Sequence, residues 1–290
     1  METKIKKALV HNPSVGIDIK SITTTSLLGG KESSIYKVTD QNDKCVVVKI
    51  PKTDWQKREI RVFDEYLSKL NITTPKLLGE YKDEVLIIEF LNGYTTLNEF
   101  SLNELTVLMN WIVTKHKKSK EIFVDETRSL SKHVDWMIND PIKRILSDIS
   151  VSTDIKSKLT RLKPKLVETL NTVDLPLVLD HCDLEAQNLL FNSKRDKVYV
   201  VDWANAIKSP GFFDISQFRK LVRQYFPSKA ADLTTQLMEE VGYTKPKHQD
   251  LLEVFMLTKE IDLLSYYLRD RNKNRDFKKE IAYSRDLILS

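Results

Sequence analysis

Apolar residues along this chain change their spacing once, near Asn92-Gly93. Before that point they come in short runs. Cys45-Val46-Val47-Val48-Lys49-Ile50 reads as one β-strand, and Val85-Leu86-Ile87-Ile88-Glu89-Phe90-Leu91 as a fully buried one. Between them, Thr53 or Asp54 caps a predicted helix that reaches residue 70, with Ile60, Phe63, Tyr66, Leu67 and Leu70 along its apolar side. After Gly93 the spacing becomes helical. Helices are expected over 102–117, 134–149, 154–170, 215–225, 230–240 and 249–269. One hairpin interrupts them: Leu189-Leu190-Phe191 and Val198-Tyr199-Val200-Val201, joined by an Asn-Ser-Lys-Arg-Asp-Lys turn at 192–197. There is no internal repeat, low-complexity tract or long linker. The pattern describes two lobes sharing a cleft, with 1–92 rich in strands, a connecting segment at 89–93, and 93–290 mainly helical.

The hairpin is flanked by chemistry. His181-Cys182-Asp183-Leu184-Glu185-Ala186-Gln187-Asn188 precedes it, and Asp202-Trp203 follows its second strand. Asp183 and Asn188 share one tight loop, and the hairpin returns Asp202 to the place where that loop began. An acid, an amide and a second acid then converge on one small volume, as a hard cation requires. Phosphoryl transfer uses this spacing: one Asp takes the proton of the attacking hydroxyl, while an Asn and another Asp hold Mg²⁺ on the nucleotide phosphates. The competing reading is a loop of ordinary surface residues. The apolar strand that ends in Asp202, at the right distance downstream, weighs against it.

A nucleotide-gripping half is expected upstream. Lys49 stands inside a β-branched run and resembles the strand lysine that pairs with nucleotide phosphates. A buried ammonium is costly unless an acid answers it. On the following helix Glu59 falls within the apolar arc and Glu65 on the far side, so Glu59 is the expected partner. Leu27-Leu28-Gly29-Gly30-Lys31-Glu32-Ser33-Ser34-Ile35-Tyr36 offers a candidate phosphate loop in a chain with only 7 glycines. Gly29 and Gly30 would allow close approach, and Ser33 and Ser34 would donate hydrogen bonds; a plain hairpin turn explains the dipeptide equally well. Glu89 and Leu91 are candidate nucleotide-binding residues by their order along the chain, at the connection between lobes.

Composition narrows the class. Of 290 residues 41% are hydrophobic and 30% charged, which supplies a sizeable core and a solvated surface. The segment 1–7 leads into no signal-like apolar core and no run approaches membrane-spanning length, so a cytoplasmic protein is expected. Two cysteines, Cys45 and Cys182, provide neither a disulfide framework nor a zinc arrangement. The net charge of +5 is spread among interleaved acids, and no basic-aromatic module points to nucleic acid as primary partner. The densest basic stretch, 269–279, itself contains Asp270 and Asp276.

Lys49, Glu59, the His181–Asn188 loop, Asp202-Trp203 and Phe213-Asp214-Ile215-Ser216, in this order, resemble the aminoglycoside phosphotransferase and choline kinase superfamily. The resemblance implies an α+β, bilobal protein-kinase-like fold with a small antiparallel-sheet N-lobe and a mainly helical C-lobe. It implies ATP or GTP and Mg²⁺ as cofactors, and transfer of a γ-phosphoryl group to the hydroxyl of a small molecule, an antibiotic or a metabolite such as an amino alcohol or sugar. Asp183 would then be catalytic, Asn188 and Asp202 would hold the metal, and Lys49, fixed by Glu59, would position phosphates. His181 would tie the loop to the metal-binding segment, and Asp214 would brace it. Cys182 stands where the family commonly has Gly, and Ala204-Asn205 where an acid often follows. Only about a dozen residues separate Asp202 from Asp214, too few for a peptide-binding activation segment. A nucleotide-binding pseudokinase and an atypical protein kinase are the alternatives, and either a monomer or a homodimer is compatible. Asp135, Asp140, Glu253, Glu260 and Asp262 are candidate acceptor contacts, each expected to face solvent. Trp136, Tyr266 and Tyr267 are candidate cage residues for a quaternary amine.

Overall fold

A computed structural model describes residues 1–27, 33–123, 130–270 and 278–289. The chain begins with helix α1 (Glu2–His11), followed by strands β1 (Thr23–Ser26), β2 (Ser33–Thr39) and β3 (Cys45–Pro51). Helix α2 (Asp54–Val62) runs through a π-helical turn, Phe63–Leu67, into the short α3 (Ser68–Leu70); β4 (Leu77–Tyr81) and β5 (Val85–Glu89) complete a five-stranded antiparallel sheet in the order β1-β2-β3-β5-β4.

Strand alternation decides what each face of that sheet does. Val46 and Val48 of β3, with Val85 and Ile87 of β5, point into a small core that α1 closes with Ile5, Ala8 and Leu9. Lys49 pairs in register with Leu86 and, with Val47 and Ile88, faces the opposite way, toward α2 and the larger core. One strand thus supplies apolar residues to one side and a functional lysine to the other. Helix α1 was not among the expected elements. Its apolar residues are few and the helix is short, so it depends on the sheet to bury them. The helix expected to end at residue 70 does so, but not as a uniform α-helix.

The remainder is helical apart from short strands. After β6 (Tyr94–Thr95) come α4 (Leu102–Ile122), a π-helical turn Asp135–Asn139 entering α5 (Asp140–Ser147), and α6 (Thr153–Thr172). Then follow β7 (Val178–Asp180), β8 (Leu189–Asn192), β9 (Val198–Val200) and β10 (Ile207–Ser209), and finally α7 (Phe212–Tyr225), α8 (Ala230–Glu240), α9 (Pro246–Asp270) and α10 (Lys278–Leu289). The π-turn replaces the first part of the expected 134–149 helix, which also stops two residues early. Strands β8 and β9 form the expected hairpin, flanked by β6, while β10 pairs with β7. Ser101 and Glu104 form a capping box that starts α4. Among the described residues no helix is long and apolar enough to cross a membrane.

Gly211, between β10 and α7, lies against His116 of helix α4 and Val178 of β7. The glycine has φ +87, and a Cβ there would sit 2.0 Å from His116 Nε2 and 2.9 Å from Val178. Gly242 also has a positive φ, +90, but open space around it. Gly211→Ala is therefore expected to cost about 3 kcal/mol or more, combining strain with overpacking, and Gly242→Ala about 1 kcal/mol. Urea unfolding of the two variants measures the contrast.

Candidate active site

The site is assembled around Lys49, which is only 4% exposed. Thr53 caps α2 by accepting a hydrogen bond from the Gln56 amide, and one and a half turns later Glu59 enters the buried face. Lys49 Nζ lies 2.5 Å from Glu59 Oε2 and 2.6 Å from Asp202 Oδ1. The second Glu59 oxygen accepts the Trp203 amide at 3.0 Å. Burial opposes the charge on Lys49, but the Glu59 and Asp202 carboxylates outweigh it and hold its pKa above the usual value. Glu65 is exposed.

The 181–188 loop hangs from a second buried charge cluster. Asp214, at the start of α7, accepts the amides of His181 and Cys182, each at 3.0 Å, and pairs with Lys115 of α4. Lys115 also donates to the Leu179 carbonyl at 2.7 Å. Asp180, at the end of β7, accepts from the amides of Phe213 and Asp214 and pairs with the Ser209 hydroxyl at 2.5 Å. All three ionisable groups are fully buried. Burial, reinforced by the Asp214 carboxylate, pushes Asp180 up to about 8. For Asp214 burial works the same way, but Lys115 overrides it and keeps the pKa below the ordinary value. Asp214, held below the ordinary value, carries the charge that Lys115 answers, and Asp180 is the acid of the pair that takes up a proton more readily.

Within the loop, burial depresses His181 to about 4, so its ring is neutral. Its Nδ1 accepts the Asp183 amide at 3.2 Å, which leaves Nε2 to donate to the Val201 carbonyl at 3.0 Å. The imidazole thereby joins the loop to the strand end carrying Asp202. Cys182 adopts φ +63, the left-handed conformation that favours glycine, and is buried. Burial raises its thiol pKa well above the usual value, as for a packing cysteine rather than a nucleophile.

Asp183, Asn188 and Asp202 come together as the loop-hairpin pattern implies. Asn188 Nδ2 donates to the Asp183 carbonyl at 2.8 Å and to its carboxylate at 3.1 Å, so the amide oxygen is the Asn188 atom that could ligate a cation. Asp202 takes a left-handed backbone, φ +64, and its side chain is 33% exposed. Burial pushes Asp183 up to about 6; nearby Glu185 and Asp202 add to the rise, and Lys259 opposes it. Among the described residues no cluster of three His, Cys, Asp or Glu side chains could form an all-protein metal cage. One partly exposed carboxylate and one amide oxygen would suit Mg²⁺, which keeps water and phosphate oxygens as its other ligands.

The remaining sequence candidates are placed less centrally. Gly29 and Gly30 lie outside the described residues. Ser33 is buried and donates to Gln56 Oε1 at 3.0 Å, while Ser34 is half-buried. Glu89 ends β5 with its amide and carboxylate turned toward Lys76, and Leu91 lies just beyond. Of the expected solvent-facing acids, Asp135, Asp140 and Glu253 are exposed. Glu260 is not: it is 4% exposed and bound by Lys220 and Ser284, because α10 and α7 close over that side of α9. Asp262 is half-buried and electrostatically linked to Lys259. Trp136 packs edge-on to Trp55, whose indole donates to Asn205; Tyr266 and Tyr267 form a separate edge-on pair. Sequence reasoning missed Lys115, Asp180, Gln217 and Lys259. A lysine among buried positions of α4 and an acid closing the apolar run 177–179 were the available signals for the first two.

A five-stranded sheet whose Lys49 pairs with Glu59 of α2, joined to a helical half carrying the Asp183–Asn188 loop and Asp202, defines a kinase-like phosphotransferase of small molecules. The model of the choline/ethanolamine kinase family matches residues 24–225, and the chain belongs to that family. It is a small-molecule kinase whose acceptor group is an alcohol. A choline/ethanolamine kinase family protein from Mesorhizobium loti is similar in structure, with a TM-score of 0.68, 16% identity, and coverage of 100% of this chain and 96% of that one. Choline kinase LicA from Streptococcus pneumoniae gives a TM-score of 0.67 at 13% identity, covering 100% and 97% of the two chains. Amicoumacin kinase, in complex with AMP-PNP, Ca²⁺ and Ami, gives 0.67 at 16% identity, covering 92% and 87%. No curated protein sequence matches the chain.

The two buried acids answer different questions on substitution. Asp214→Asn strands the Lys115 charge and is expected to cost about 3–5 kcal/mol. Asp180→Asn removes the acid whose pKa burial raises. An acid whose pKa is raised by folding loses stability as pH rises from its unfolded value, about 3.9, toward 8. Wild-type stability should therefore fall relative to Asp180→Asn between pH 5 and pH 8, measured by urea unfolding at both.

Proposed function

We propose that this chain transfers the γ-phosphoryl group of ATP, with Mg²⁺, to the hydroxyl of a small amino alcohol. The observation that carries the reading is the Lys49 bridge, which ties Glu59 of the sheet half to Asp202 of the helical half beside Asp183. The lobe boundary is placed at 92, with residues 89–93 as hinge and 93–290 carrying the catalytic loop and acceptor pocket. ATP is favoured as donor by the amicoumacin kinase complex with AMP-PNP, and an amino alcohol by the family match.

In this reading Lys49 orients the α and β phosphates, and Glu59 keeps its ammonium from wandering. Asn188 and Asp202 would hold Mg²⁺, which neutralises phosphate charge when bound. Asp183 receives the acceptor proton. Its carboxylate is fixed by Asn188, and its partial burial raises its basicity, which suits a group that must take a proton near neutral pH. Neutral His181 holds the loop without contributing a competing charge. Phosphate-loop contacts are assigned to Gly29, Gly30, Ser33 and Ser34, and base contacts to Glu89 and Leu91. The protein is assigned to the cytoplasm.

Two measurements test this. The thermal midpoint should rise with ATP and rise further with Mg²⁺; saturation at about 100 Kd stabilises by about 2.7 kcal/mol. Asp202→Asn should remove the Mg²⁺-dependent part. Asp183→Asn should lower kcat for ethanolamine or choline by about 10²–10⁴-fold while the ATP-induced shift persists. Equal shifts with and without Mg²⁺, or near wild-type turnover by Asp183→Asn, would contradict the assignment.

A further inference from the structure

Cys182 occupies a backbone conformation that an L-residue disfavours by on the order of tenfold relative to its ordinary regions. It immediately precedes Asp183, so a relaxed Cys182 would swing the base. Its amide is held by Asp214, the brace that the superfamily resemblance leads one to expect. Its carbonyl, however, is held by two further side chains. Lys259 Nζ of α9 donates to it at 2.8 Å, and Gln217 Nε2 of α7 at 3.2 Å. Gln217 also accepts the Leu184 amide through Oε1 at 2.8 Å, so the backbone is gripped on both sides of Asp183. The Lys259 ammonium stands 3.9 Å from Asp183 Oδ1, and its side chain is 12% exposed. Burial opposes its charge, but Asp183 and Asp262 outweigh that and keep it protonated.

We propose that Lys259, aided by Gln217, is a positioning residue for phosphoryl transfer: it clamps the left-handed Cys182 corner and thereby aims the Asp183 carboxylate. The inference rests on the phosphotransferase reading of the site. It accounts for how this chain carries a side chain at the position where relatives commonly use glycine. The clamp supplies from α9 and α7 the conformational bias that a glycine would not need.

The test is a kinetic and unfolding cycle on Lys259→Met, Lys259→Arg, Cys182→Gly and the Lys259→Met/Cys182→Gly pair. ADP release from Mg·ATP is followed with ethanolamine and with choline as acceptors. Lys259→Met is expected to lower kcat tenfold or more, on the order of what slight misplacement of a reacting group costs, with KM for ATP changed less than about twofold. Lys259→Arg, which keeps a donor and a charge, should recover most of that loss. In the Cys182→Gly background the same Lys259→Met change should cost about threefold or less, because glycine takes the corner without strain. Should Lys259→Met fold too poorly to assay, the double variant remains, and its kcat should approach that of Cys182→Gly alone. Wild-type-like kcat in Lys259→Met, or an equal loss in both backgrounds, would overturn the clamp while leaving the kinase reading intact. Absence of ADP release and of any ATP-induced thermal shift in the wild type would instead remove the kinase reading, and this inference with it.

Discussion

An ammonium group taken out of water must be met by oxygen, and three lysines organise the active site around that requirement. Lys49 is answered by Glu59 and Asp202, Lys115 by Asp214 and the Leu179 carbonyl, and Lys259 by the Cys182 carbonyl and the nearby acids. Each lysine has at least one partner distant in sequence. Leaving one partner out of such a pair is far costlier than forming it is favourable. The pairs therefore contribute little net stability, but they make displaced arrangements of the loop expensive. The result is that Asp183, Asn188 and Asp202 are held in register.

Burial and the neighbouring Asp214 carboxylate raise the pKa of Asp180, while Lys115 holds Asp214 below the ordinary value. Asp180 accepts from the start of α7 and from the Ser209 hydroxyl, while charged Asp214 receives the loop amides. The neutral histidine continues the chain of contacts to the Asp202 strand end. The geometry of the 181–188 loop is thus inherited from packing of α4, α7 and β7.

Several parts of this arrangement were legible in the order of residues. Glu59 was distinguishable from Glu65 because the helical projection sets one inside the apolar arc and the structure buries it there. The β8–β9 hairpin follows from two apolar runs and a polar turn, and it brings Asp202 back beside the loop. Glu260 was misjudged for an equally plain reason. Helix α9 is enclosed by α7 and α10, so the rule that a charged residue faces water fails once Lys220 and Ser284 are brought to it. Helix α1 carries too few apolar residues to declare itself, and the π-turns at 63–67 and 135–139 reflect tertiary packing that local periodicity does not encode.

By itself, the sequence determined the class of chemistry: its acids, amide and lysine occur at spacings that local strand, helix and turn rules convert into a phosphoryl-transfer site. Tertiary structure alone decided which residues support that site. Lys115, Gln217 and Lys259 sit on helices far along the chain from the loop they hold, and their roles arise from desolvation at contacts between elements. Local sequence rules describe conformation over a few residues. They do not say which carbonyl a buried ammonium will find, and that pairing places Asp183.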